Sequence, residues 1–136
     1  MENFNEVENA PSQLVVTESI KINLNEISKW AKFLAIIGFI GMGILLIVSL
    51  IVMTTLGTLG IIYIILDIVY FFPVYYLFKF ASEIQSAFYG NNQYNLDLGI
   101  EYLKSHYKFI GIITIVTLAI YLVIIFVGIL ALHTIR

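Results

Sequence analysis

The sequence predicts an all-α integral membrane protein. It has three transmembrane helices, the second and third extended into a cytoplasmic amphipathic helical hairpin. Three observations carry this reading. Of the 136 residues, 60% are hydrophobic and 12% charged, against about 45–50% and about 25% in an ordinary soluble domain. Three stretches supply the roughly 20 apolar residues a helix needs to cross about 30 Å of hydrocarbon. All six lysines then fall on one side of those spans.

The same composition narrows function. Half the usual charge does not cover a water-soluble particle of this size, which argues against a soluble enzyme. A net charge of −2 provides no basic field to hold nucleic acid. Cysteine is absent, which removes disulfides, Cys-based zinc sites and thiol nucleophiles together. No cofactor is expected, and the lipid bilayer is the first partner.

Residues 1–19 are acidic, rich in Asn and Glu and without periodicity, and read as a disordered tail; residues 20–136 read as a single membrane domain. The first apolar stretch starts at Trp30 and outruns a secretory h-region of roughly 7–15 residues. It is expected to remain as an anchor. Between the tail and this span, Asn23 with Glu26 three residues on fits a helix N-terminus. Leu24, Ile27 and Ala31 fall at helical spacing, so a short interfacial helix from about Leu24 is expected to run into span one.

The spans cover about 31–53, 59–77 and 109–132. Between Phe33 and Phe78 the one charged residue is Asp67, and the third span has none. Spans one and two are joined by Thr54-Thr55-Leu56-Gly57-Thr58, so they must be antiparallel neighbours, with Gly57 and Gly60 marking the turn. Lys21, Lys29 and Lys32 precede span one, Lys79 follows span two, and Lys104 and Lys108 precede span three. The opposite side keeps Arg136 and an uncharged turn. The positive-inside rule then places the N-terminus in the cytoplasm and the C-terminus outside. Trp30, Tyr75, Tyr76 and Tyr107 register at the cytoplasmic interface beside Lys32, Lys79 and Lys108, whose stems can snorkel.

Past span two, Leu77, Phe80, Ala81, Ile84 and Phe88 make an i, i+3, i+4 stripe, with Lys79 and Glu83 opposite. Gly90-Asn91-Asn92 is a turn. Leu96, Ile100, Leu103 and Tyr107 form a second stripe that feeds span three without a breaker. The hairpin thus covers about 78–108. It either packs upright on the Leu24/Ile27 helix as a cap, or lies flat on the membrane surface.

Asp67 is the candidate site. It lies about nine residues in from the external turn, near the bilayer midplane, where an ionisable group costs several kcal/mol unless paired or protonated. Tyr63 (i−4) and Tyr70 (i+3) share its face, and Thr117 and Tyr121 of span three fall at similar depth. One reading is a proton- or cation-handling group. The other is a buried acid satisfied by tyrosines that joins helices within or between subunits. Pro73 removes the hydrogen bond to the carbonyl of Val69 and is expected to kink span two. Ala35, Gly38 and Gly41 recur every three residues and let another helix approach closely. His106 and His133 lack partners at ligand spacing, so no metal site is expected.

Three segments carry a resemblance: WAKFLAIIGFI at 30–40, PVYYLFKFA at 73–81 and LKSHYKFIGIIT at 103–114. The chain resembles a domain-of-unknown-function family of small bacterial membrane proteins found mostly in the Bacteroidetes, over about residues 20–135. The resemblance implies an integral protein of a bacterial inner membrane and transfers no active-site residue. The function expected is non-enzymatic: a self-associating scaffold, or an accessory subunit of a membrane complex. A small oligomeric transporter or channel subunit using Asp67 is the alternative.

Overall fold

In the computed structural model, which describes residues 15–134, the chain is three helices: α1 (Glu18–Leu56), α2 (Leu59–Gly90) and α3 (Gln93–Thr134). Each is long and apolar enough to cross a membrane. Most of the expected tail, and Arg136, lie outside the described residues.

Helix α1 starts earlier than the Asn23/Glu26 pattern predicts. Thr17 is extended (φ −68°, ψ 160°), and its Oγ1 accepts from the Ile20 N–H at 3.4 Å, a standard N-cap. No breaker separates Glu18 from span one, so a single helix absorbs the end of the predicted tail and the predicted interfacial helix. Ile20 and Ile22, which alternate with polar residues as in a strand, lie within this helix and are both exposed.

Helix α1 ends at Gly57, whose φ of +59° is open to glycine at little steric cost. Its N–H bonds the Met53 carbonyl at 3.1 Å. Gly60 is needed for space instead, since a Cβ there would lie 2.5 Å from the Met53 Cα. At the other end, Asn91 takes the left-handed conformation (φ 46°, ψ 46°) that closes α2. The Asn92 side chain accepts from the Tyr94 N–H at 3.0 Å. The turns therefore fall where the sequence places them.

Helix α2 is the middle helix. Both neighbours pack along it, while α1 and α3 nowhere bring Cα atoms within 8 Å of each other among the described residues. The core sits at the Asn91 end, where the predicted stripes meet. Phe80, Ala81 and Ile84 of α2 are fully buried with Ala31 of α1. Leu24, Leu77, Phe88, Leu96 and Leu103 close around them. Ile27, Ile100 and Tyr107 stay on the outside. Toward the Gly57 end the packing thins to an α1–α2 seam. In α3, every residue from Thr114 to His133 is exposed.

Candidate functional site

Asp67 is placed by the α1–α2 seam. Gly60 lies against Met53, and Val74 lies where a Cβ on Gly38 would meet its methyls at 3.0 Å. Phe71 and Phe78 pack on Phe39 at 6.2 and 5.9 Å. Asp67 stands seven residues from Gly60 and from Val74 and four from Phe71, so helical periodicity puts it on this covered stripe. It is 6% exposed, and its Oδ1 has no hydrogen-bond partner.

The two flanking tyrosines do not supply that partner. Tyr63 and Tyr70 are both about half exposed. At 100° per residue they sit about 40–60° around α2 from Asp67, both to the same side, and α1 covers the other. Thr117 and Tyr121 lie in the exposed half of α3 and make no side-chain hydrogen bond among the described residues. The predicted set around Asp67 is therefore a shared depth in the sequence rather than a bonded cluster in this fold.

The small-residue stripe divides. Ala35 is buried and Gly38 meets Val74, so both serve packing within the chain, whereas Gly41 has nothing within 4 Å. Gly99, which belongs to no small-residue stripe in the sequence, matters more: a Cβ there would lie 2.8 Å from the Ile84 Cδ1. It lets α3 approach the core of α2. Its signal was visible as a glycine between Leu96 and Leu103, inside an apolar stripe.

Helix α2 continues without a break through Pro73, which is buried. The contact that decides its surroundings comes from His106, whose Nδ1 lies 2.8 Å from the Pro73 carbonyl oxygen. A carbonyl only accepts, so Nδ1 carries the proton and donates. The residue the sequence leaves without a partner is thus a polar tie between α2 and α3. The other ties lie nearer the Asn91 end. Lys32 Nζ donates to Gln85 Oε1 at 3.0 Å, and Asn95 Nδ2 donates to Ser86 Oγ at 2.9 Å. Among the remaining anchors, Tyr75 stacks on Phe71 and Tyr76 packs on Tyr102. Lys79 pairs with Glu83 at 3.8 Å, while Trp30, Tyr107 and Lys108 are exposed.

Because α1 and α3 nowhere bring Cα atoms within 8 Å among the described residues, a cleft runs between them with α2 as its floor. One part, of about 320 Å³, lies over Pro73, Val74 and Leu77, between Leu34 and Ile110; Tyr70, His106 and Thr114 are its polar lining. A second part, of about 570 Å³, shares Leu34 and Leu77 and extends to Asn23, Glu26, Trp30 and Tyr107 at the Asn91 end. A mainly apolar hollow with a few convergent polar groups is the usual form of a small-molecule site. Comparison of the chain with protein-family models, curated proteins and solved structures found no match.

Proposed function

We propose that this chain is a non-enzymatic protein of a bacterial inner membrane that acts by assembly, as a self-associating scaffold or an accessory subunit. The observation that carries the reading is the outer half of α3. Twenty residues, Thr114 to His133, are exposed around the whole helix, while the facing half of the α1–α2 hairpin is closed by a seam. Thr117 and Tyr121 lie within this stretch and make no side-chain hydrogen bond among the described residues. A hydroxyl in hydrocarbon is more stable bonded to a neighbouring helix than alone. The one-sided lysines support a cytoplasmic N-terminus and hairpin, with the C-terminus outside.

The absence of cysteine makes the test direct. Single cysteines along 114–132 are oxidised in native membranes, and a dimer band at one helical face is expected. No cross-link at any position, to itself or to another protein, would remove the assembly reading. A single cysteine at Thr58 or at Asn92, labelled with an impermeant maleimide, reports orientation: Thr58→Cys reacts from outside and Asn92→Cys does not.

One observation favours the alternative of an oligomeric transporter or channel subunit, namely the unpartnered Oδ1 of the buried Asp67. Asp67→Asn distinguishes the two. Under the alternative, proton or cation flux in vesicles is lost with assembly intact; under the assembly reading no such flux exists to lose.

A further inference from the structure

We propose that the cleft between α1 and α3 binds a single-chain amphiphile carrying a free hydroxyl, in chemistry a monoacyl glycerolipid, with that hydroxyl on Nε2 of His106. The membrane location assumed for the protein supplies the lipid; the rest follows from the cleft.

The polar atoms set the donor–acceptor pattern. His106 spends its Nδ1 proton on the Pro73 carbonyl at 2.8 Å. In the neutral ring Nε2 is then an acceptor, and no described residue donates to it. Thr114 Oγ1 spends its proton on the Ile110 carbonyl at 2.9 Å, so it too is left with lone pairs only. Two of the three polar side chains lining this part of the cleft therefore call for a donor. The ester region of a diacyl phospholipid offers only acceptors. A free glycerol hydroxyl offers the one proton that Nε2 lacks, while Thr114, eight residues and about 12 Å further along α3, lies beside the acyl chain.

Size and shape select one chain. A volume of about 320 Å³ holds about ten groups of the size of a water molecule, at roughly 30 Å³ each. That suits part of one acyl chain along Leu34, Leu77, Ile110 and Ile113. The continuation toward the Asn91 end opens between Trp30 and Tyr107, with Asn23 and Glu26 beyond. A polar headgroup is accommodated there while the chain points the other way. Pro73 makes the geometry possible, because its ring is buried on the floor while its carbonyl orients the imidazole.

The test is native mass spectrometry of the full chain released from detergent micelles. The probes are 1-palmitoyl lysophosphatidylethanolamine, the same lipid with its glycerol hydroxyl methylated, and dipalmitoyl phosphatidylethanolamine. One equivalent of the lysolipid is expected to be retained about tenfold more tightly than the methylated analogue, and more tightly than the diacyl lipid. His106→Phe keeps a planar ring and should erase the tenfold preference. Thr114→Val, about 12 Å along α3 from His106, should leave the preference in place. Ile113→Trp fills the cleft without touching a polar group and should abolish retention. Far-UV circular dichroism checks that each variant is folded. Equal retention of the methylated lipid, preference for the diacyl lipid, or an undiminished preference in folded His106→Phe would each overturn the proposal.

Discussion

Replacing Gly99 by alanine measures how closely α3 must approach α2. The new Cβ would lie 2.8 Å from Cδ1 and 2.9 Å from Cγ1 of Ile84, and 3.3 Å from its backbone nitrogen. Comfortable carbon contacts are about 3.5–4.0 Å, so roughly 0.7 Å or more must be found. Ile84 is wholly buried among Phe80, Ala81 and Ala31, and the nearby backbone nitrogen cannot turn aside as a side chain can. Overpacking of this kind costs about 1–3 kcal/mol. Alanine also gains about 1 kcal/mol over glycine in a helix, which blurs the single measurement. Gly111 on the same helix removes that term, because a Cβ there meets nothing within 4 Å. Gly111→Ala should keep the whole propensity gain, and Gly99→Ala should fall about 1–3 kcal/mol below it. The assay is reversible unfolding in mixed micelles with increasing dodecyl sulfate, followed by helical circular dichroism. If Gly99→Ala proves as stable as Gly111→Ala, α3 does not pack on Ile84 as described.

Other substitutions probe the remaining contacts. On α1, Gly38→Ala should lose stability relative to Gly41→Ala in the same titration, because the Gly38 Cβ would meet Val74 at 3.0 Å and the Gly41 Cβ meets nothing. Phe80→Ala should cost about 3–5 kcal/mol as a core cavity, since Phe80 is fully buried; a loss below about 1 kcal/mol would mean that the three stripes do not converge there. Asp67→Leu should raise the stability of the isolated chain by about 1–3 kcal/mol, because it removes a buried oxygen that lacks a partner; a drop in the same assay would show that the carboxyl is bonded. Gln85→Ala should cost about 1 kcal/mol through the lost Lys32 contact, with Lys32→Met in the same background adding little.

Much of this architecture was legible in the residues. The three helices follow from apolar runs long enough to cross a membrane, where a helix satisfies its own backbone. The breaks follow from Gly57 and Asn91, both at positive φ, in segments already marked as turns. The stripes from Leu77 to Phe88 and from Leu96 to Leu103 predicted the core, because helical spacing alone determines which side chains share a face. The start of α1 was less clear. Thr17 competes with Asn23 as a cap, and alternating isoleucines mask a helical continuation that nothing in the sequence interrupts.

The candidate site was legible one helix at a time. Asp67 stands out within its span by charge alone, and its own periodicity places Tyr63 and Tyr70 nearby. Which of them α1 covers depends on the side from which α1 approaches, and a 40–60° rotation about α2 separates a buried carboxylate from exposed tyrosines. Likewise His106 had no partner in the sequence because its partner is a main-chain carbonyl, an atom every residue carries and no pattern marks. Gly99 opposite Ile84, the α1–α3 cleft and the exposed outer half of α3 all arise from α2 standing between two helices whose Cα atoms nowhere come within 8 Å of each other among the described residues. Local chemistry thus determined the elements, their ends and their apolar faces, since each depends on neighbours within a few residues. Tertiary packing alone decided which faces meet and what stays open, since those contacts join residues tens of positions apart.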